Sequence, residues 1–136
     1  MTANPQFYDV TVIAGVAAMA ALANSGTLVI MAGTQPALDG TPTGTVLATL
    51  TFGATAFGTP TASSGTVTAN ANTIGSATIA NTGTAAYFVV YESNGTTVVG
   101  TGTVGTSAAD LIVSSTSFVA GGTASCSAFS ITQPQT

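Results

Sequence analysis

The sequence predicts a mainly β protein, either an antiparallel β-sandwich or a jelly-roll-like barrel, with one N-terminal helix. Short stretches that alternate apolar residues with Thr recur between residues 27 and 132. Gly, Pro, Asn and Asp separate these stretches at short intervals, which is typical of antiparallel strands and tight turns. One apolar run of helical length precedes them. At 136 residues, the chain (residues 1–136) is expected to form a single β domain.

The helix is predicted over residues 10–24, where the apolar residues recur at helical spacing. Residues 1–9 precede it and are interpreted as an N-terminal arm carrying two aromatic residues, Phe7 and Tyr8. Acidic N-caps and left-handed glycines are common at the two ends of helices. The expected positions are Asp9 at the N-cap, Val12, Val16, Met19 and Ala23 on the buried stripe, and Gly26 after the C-terminus.

The strongest strand signal lies at residues 85–91, which are apolar on both faces and therefore predict a central strand. Asn94-Gly95 follows, and this pair favours a two-residue type I′ hairpin turn. In the returning strand, Gly100 and Gly102 indicate that another backbone or an aromatic ring approaches closely.

Two further predictions concern the middle of the chain. Residues 45–52 alternate as a strand, and residues 58–65 are expected to form a loop because they are rich in Gly, Pro and Ser. The side chains expected on one face of the first segment are Val46, Ala48, Leu50 and Phe52.

The charge content excludes several functions. Only 3% of the residues are charged, against about 25% in ordinary soluble domains, and there is no Lys, Arg or His. Nucleic-acid binding is not expected, because phosphate contacts come largely from Lys and Arg. Membrane insertion is not expected either, since the apolar run of residues 10–23 falls short of the roughly 20 residues that span a bilayer. Its Ala-Leu-Ala end resembles a signal cleavage site, but no positive segment precedes it.

Enzymatic activity is not expected. General acid–base catalysis at neutral pH needs a tuned group, usually His, and a Ser or Thr nucleophile needs a base. The acids Asp9, Asp39, Glu92 and Asp110 lie in separate segments, and Cys126 is interpreted as a buried, inert thiol. We therefore expect no catalytic, cofactor-binding or metal-binding residue. Two alternatives stay open: a carboxylate pair that meets in space, and a Ca²⁺ site that includes Asp39 and Asp110.

Several segments resemble a group of small proteins encoded among the structural genes of tailed bacteriophages. The likeness spans most of the chain and consists of turn-and-strand motifs. The segments that carry it are Asn4-Pro5-Gln6-Phe7-Tyr8-Asp9, Gly33-Thr34-Gln35-Pro36-Ala37-Leu38-Asp39-Gly40, Leu47-Ala48-Thr49-Leu50, Ser93-Asn94-Gly95-Thr96-Thr97-Val98, Val104-Gly105-Thr106-Ser107 and Ala109-Asp110-Leu111.

The resemblance implies a head-associated virion protein that decorates or cements a capsid and carries no site residues. The expected partners are the major capsid protein and further copies of the chain, as a homotrimer, with Phe7 and Tyr8 as candidate contacts. The expected location is the capsid surface of the virion, after assembly in the bacterial cytoplasm. Two alternatives remain: a tail, neck or fibre protein, and a module that binds carbohydrate or ice. The Thr-x-Thr pairs that motivate the latter are Thr43/Thr45, Thr49/Thr51, Thr66/Thr68 and Thr101/Thr103.

Overall fold

The structure, a computed structural model, describes residues 5–126 and 128–135. Within these residues the chain forms one helix and twelve strands. Their bounds are α1 Asp9–Leu22, β1 Thr27–Ala32, β2 Thr45–Thr51, β3 Thr61–Ser63, β4 Thr66–Asn70, β5 Ala77–Thr78, β6 Gly83–Thr84, β7 Tyr87–Tyr91, β8 Val98–Gly105, β9 Leu111–Ile112, β10 Ser117–Phe118, β11 Thr123–Ala124 and β12 Ala128–Pro134.

Eight strands form one sheet in the order β2-β1-β7-β8-β9-β12-β4-β3, and β10-β6 and β11-β5 form two short ladders. The prediction of a mainly β fold with one N-terminal helix is confirmed. The sheet is mixed rather than wholly antiparallel, because β8 and β9 run parallel. The sequence did not indicate this pair, since parallel neighbours ordinarily need a crossover of a dozen or more residues. Here a short loop containing Ala108, at φ 51°, returns the chain.

The core lies between two parts of this sheet that face each other, which makes the fold sandwich-like. Phe129 of β12 contacts Phe88 of β7 edge-to-face at 5.0 Å between ring centroids. It also contacts Phe52 at 6.4 Å and Phe57 at 5.7 Å. Because β7 and β12 are not neighbours in the sheet, these ring contacts show that the sheet curves around a common core. Helix α1 and its C-cap residue Ala23 add a stripe of buried side chains to it: Val12, Val16, Ala20 and Ala23.

The helix ends differ from the prediction. The N-cap residue is Tyr8, and Asp9 is the first helical residue. The Tyr8 side chain makes no capping hydrogen bond. The Asp9 carboxylate instead accepts a hydrogen bond from Gln135 Nε2 at 2.6 Å, a partner that lies far away in the sequence. After the helix, Ser25 takes the left-handed conformation at φ 56° in place of Gly26. Gly26 is needed for another reason: a Cβ there would collide with the backbone of β7.

A β-bulge changes which side chains of β2 face the core. The pairing of β1 with β2 shifts between Ile30 and Met31, so that Leu47 is inserted as an extra residue. Leu47 is therefore fully buried, while Val46 is 39% exposed. The predicted face of Val46 was wrong because a bulge reverses the alternation of side chains beyond it.

Two turns also differ from the prediction. Residues 61–63 form β3, and the type I′-like hairpin turn lies at Ser64-Gly65, with φ of 52° and 78°. The predicted type I′ turn at Asn94-Gly95 was wrong, because only Gly95 has positive φ. Asn94 instead organises a longer loop: its Oδ1 accepts the backbone N–H groups of Thr96 and Thr97, each at 2.9 Å.

Candidate partner-contact surface

Phe7 and Tyr8, the residues predicted to contact a partner, lie at the start of α1 and are strongly exposed. Phe7 is 52% exposed and Tyr8 is 81% exposed. Their backbone is fixed to the end of β12: the Phe7 N–H donates to the Gln135 carbonyl at 3.1 Å. The side chain of Gln135 donates in turn to the Phe7 carbonyl at 3.0 Å. The predicted arm is therefore held on the domain at residue 7; residues 1–4 lie outside the described residues.

The exposed side of α1 continues this apolar surface. Val10 is 73% exposed and Leu22 is 47% exposed. The exposed residues between them are four alanines together with Thr11, Gly15 and Met19. We call the combined surface the apolar helix face. It consists of Phe7, Tyr8, Val10, Ala14, Ala17, Ala18, Ala21 and Leu22.

The sequence of α1 explains why this face is apolar. A surface helix ordinarily carries polar or charged residues opposite its buried stripe. In α1 the only polar side chains are those of Asp9 and Thr11, both in the first turn. Helices that are apolar on all sides are usually covered on all sides. Removing the face from water would contribute about 25 cal/mol for each Å² of apolar surface.

The predicted buried position of Met19 was wrong, because it is 37% exposed and Ala20 takes the buried place. Val12, Val16 and Ala23 are buried as predicted. The predicted stripe therefore differs at one position only, where the small side chain of Ala20 packs on the core in place of Met19.

The four acids lie in separate surface elements. Asp9 begins α1, Asp39 lies in the β1–β2 loop, Glu92 lies in the β7–β8 loop and Asp110 precedes β9. Across the described part of the chain, no three His, Cys, Asp or Glu residues are grouped as they would be around a metal ion.

Asp110 stabilises the loop between β8 and β9 through hydrogen bonds with Thr103. Its Oδ2 accepts the Thr103 backbone N–H at 2.9 Å and the Thr103 hydroxyl at 3.1 Å. The Asp110 N–H donates back to Thr103 Oγ1 at 3.2 Å. These three bonds hold the loop that returns the chain from β8 to β9.

Among the described residues, two groups have a shifted pKa. Burial raises the pKa of the Cys126 thiol, and a hydrogen bond from the Ala128 backbone opposes the shift. A raised pKa keeps the thiol protonated and unreactive at neutral pH. Burial also raises the pKa of the Tyr87 hydroxyl, which donates to the Thr43 carbonyl.

Tyr87 belongs to a second cluster, on the outer face of the sheet, together with Val29, Met31 and Val89. The β1–β2 loop is tied over this face by the Tyr87 hydroxyl and by Gln35, whose Nε2 donates to Thr101 Oγ1 at 3.0 Å. The same loop presents Leu38, which is 94% exposed. No sequence pattern predicted this exposure, since Leu38 lies in a segment rich in Pro and Gly that has no alternation of apolar and polar residues.

The Thr-x-Thr pairs do not form one array. Thr49/Thr51 lie on β2, Thr66/Thr68 lie on β4 and Thr101/Thr103 lie on β8, and none of these strands neighbours another in the sheet. Thr101 and Thr103 also bond to Gln35 and Asp110 rather than facing solvent freely. No regular Thr surface follows from these positions.

Within residues 5–126 and 128–135, no helix combines the length and the apolar character needed to cross a bilayer. Comparisons of the chain with protein families, with curated proteins and with solved structures gave no match.

Proposed function

We propose that the chain is a structural protein of a tailed-phage virion, which decorates or cements the capsid through non-ionic contacts with the major capsid protein. The observation that supports this most is the apolar helix face, where Phe7, Tyr8 and Val10 are exposed and the helix carries no polar side chain after its first turn. Exposed apolar patches of this kind are typical of protein–protein contact sites.

The charge of the chain supports the non-ionic character of the contact. With no Lys, Arg or His and a formal charge of −4, no side chain of the protein can supply the cationic half of an ion pair. A neutral surface also lets many copies lie side by side without strong mutual repulsion. The binding free energy would come from apolar burial and backbone hydrogen bonds.

The homotrimer is part of the proposal. The eight-stranded sheet ends in two different edge strands, β2 and β3. Edge strands present unpaired backbone groups that can pair with another chain, and a cyclic oligomer joins two different surfaces of neighbouring copies. The carbonyls of Leu47 and Thr51 on the outer edge of β2 already accept the Ala80 and Gly75 N–H groups. In such a ring, β3 is therefore the edge that would meet a different surface of the next copy.

A tail, neck or fibre protein would use the same chemistry, and the location of the binding partner distinguishes it from the head protein. The ice-binding alternative is less favoured, because the Thr pairs lie on strands that are not neighbours. No observation on the described residues specifically favours a carbohydrate site.

The test is co-sedimentation with undecorated capsids of the phage that encodes the chain. Ala17→Glu places a charge in the centre of the apolar helix face and keeps a residue of good helix propensity. Ala120→Glu makes the same change at an exposed site in the turn after β10 and serves as the control. We expect the first variant to lose binding and the second to keep it. Equal binding by both variants would contradict the role of this face, and failure of the unchanged protein to bind would contradict the proposed function.

A further inference from the structure

The large sheet contains a gap between β8 and β12. The strand that separates them, β9, has only two residues and pairs with Val104 and Gly105 on one side. On its other side it pairs with Ala128 and Phe129. The rest of β8, toward Val98, and the rest of β12, toward Pro134, extend beyond β9 with no described strand between them.

The backbone of β8 turns unpaired groups toward this gap. The Val104 N–H donates to the Ala86 carbonyl on the β7 side. Because backbone groups alternate along a strand, those of Thr101 and Thr103 point the opposite way, into the gap. The Thr103 N–H donates a hydrogen bond to the Asp110 carboxylate. The Thr101 N–H, which also points into the gap, has no hydrogen-bond partner among the described residues.

The edge of β12 faces the gap in the same way. The Phe129 carbonyl accepts the Ala71 N–H on the β4 side. Ser130 and Thr132 therefore direct their backbone groups toward β8. The two edges run antiparallel to each other, because β9 is parallel to β8 and antiparallel to β12.

The inner side of the gap is an apolar cavity of about 260 Å³. Its inner wall is formed by Phe88, Phe129 and Met19. Gly100 lines it as well, and a Cβ at that position would meet no atom within 4 Å. The cavity therefore has room for an incoming side chain next to the two unpaired edges.

We propose that this gap binds an extended segment of a different protein, which is added to the sheet as a strand between β8 and β12. In such strand addition, backbone hydrogen bonds supply affinity and alternate side chains enter pockets. The segment would continue the line of β9, place an apolar side chain against Phe88 and Phe129, and cover four or five residues at about 3.3 Å each. This site goes beyond the proposed function, because it specifies an extended peptide whichever protein carries it.

Charge indicates that the segment comes from another protein and carries one Lys or Arg. The Asp110 carboxylate lies at the end of the gap, and its Oδ2 is 3.0 Å from the position that a Cβ on Gly102 would take. A second copy of this chain has no cationic side chain to place beside it. In addition, the Phe7 backbone of each copy is hydrogen-bonded to Gln135 of the same copy, so Phe7 is not free to enter the gap of another copy.

The test uses a labelled, capped hexapeptide, Lys-Val-Thr-Val-Thr-Val, and the full chain, with fluorescence anisotropy as the readout. Gly100→Val fills the cavity, and Gly53→Val is the matched control, because both glycines have open space around the Cβ position. Neither glycine has positive φ, so neither change strains the backbone. We expect saturable binding that Gly100→Val weakens at least tenfold and Gly53→Val leaves unchanged. Thermal unfolding shows that both variants are folded.

Two further comparisons test the binding mode. N-methylation of alternate peptide amides removes donors without changing the side chains, and we expect it to abolish binding. Replacing the peptide Lys by norleucine should weaken binding severalfold to the unchanged protein and have no effect on Asp110→Asn. Absence of binding at millimolar peptide, equal binding to Gly100→Val, or binding of the methylated peptide would overturn the proposal. Self-association that Gly100→Val abolishes would overturn it too, in favour of a second copy as the occupant.

Discussion

The ring of Phe88 occupies the space into which a side chain at position 102 would project. The two residues are register partners on β7 and β8. A Cβ on Gly102 would lie 2.6 Å from two atoms of the ring. The same ring packs edge-to-face on Phe129 from across the core. Gly102 therefore allows the aromatic contact that joins the two facing parts of the sheet.

Gly102→Ala should destabilise the fold by about 1–3 kcal/mol, the usual cost of overpacking a core. Gly100→Ala, two residues away on the same strand, should change the free energy of unfolding by less than about 0.5 kcal/mol. Urea denaturation of both variants measures the difference. Equal midpoints would show that the Phe88 ring can move without loss of packing.

Asn94→Ala should destabilise the β7–β8 loop by about 1 kcal/mol, because it removes the acceptor for two backbone N–H groups. It also removes the hydrogen bond that Asn94 Nδ2 donates to Thr97 Oγ1 at 2.7 Å. Ser93→Ala at the neighbouring exposed position is the control. A denaturation midpoint for Asn94→Ala that matches the control would mean that water replaces these bonds without cost.

Gln135→Ala should loosen the N-terminal segment while leaving the core intact. The substitution removes both hydrogen bonds that the Gln135 side chain donates, to the Phe7 carbonyl and to the Asp9 carboxylate. We expect faster amide hydrogen exchange at Phe7 and less than about 1 kcal/mol change in global stability, since the bonds are exposed. Unchanged exchange at Phe7 would contradict the tethering role of Gln135.

The melting temperature should be flat between about pH 6 and pH 8 and should fall under alkaline conditions. The pKa values of Cys126 and Tyr87 are raised by burial, above ordinary values of 9.0 and 10.0. Above those values the unfolded chain releases protons that the folded chain retains, so stability falls as pH rises. Cys126→Ala should delay the onset of the fall from near pH 9 to near pH 10. A steep slope between about pH 6 and pH 8 in circular-dichroism melts would contradict this account.

The elements that the sequence predicted well are those specified by local pattern. The apolar run at residues 85–91 was predicted to be a central strand, and β7 lies inside the sheet with four consecutive buried residues. The close ring approach at Gly102 was also indicated by the sequence, although Gly100 faces open space instead. These features could be predicted because the pattern of apolar residues and the position of a glycine are visible in the local sequence.

The remaining features depend on contacts between distant residues. The bulge at Leu47 and the parallel pairing of β9 arise from strand pairing, which leaves no mark in the local pattern. The gap between β8 and β12 is a consequence of the same two-residue strand. The apolar helix face, by contrast, could have been inferred, since residues 12–23 contain no polar side chain to cover an exposed side.

The central claim is that the chain binds capsids through non-ionic contacts, and a salt series tests it most directly. Co-sedimentation of the full chain with undecorated capsids would be measured from about 0.1 M to about 1 M salt, where the Debye length falls from about 10 Å to about 3 Å. The account predicts a binding constant that changes by less than about threefold, because the chain has no basic residue and its four acids lie in separate surface elements. Loss of tenfold or more in affinity across the series, or no binding at either end of it, would contradict the account.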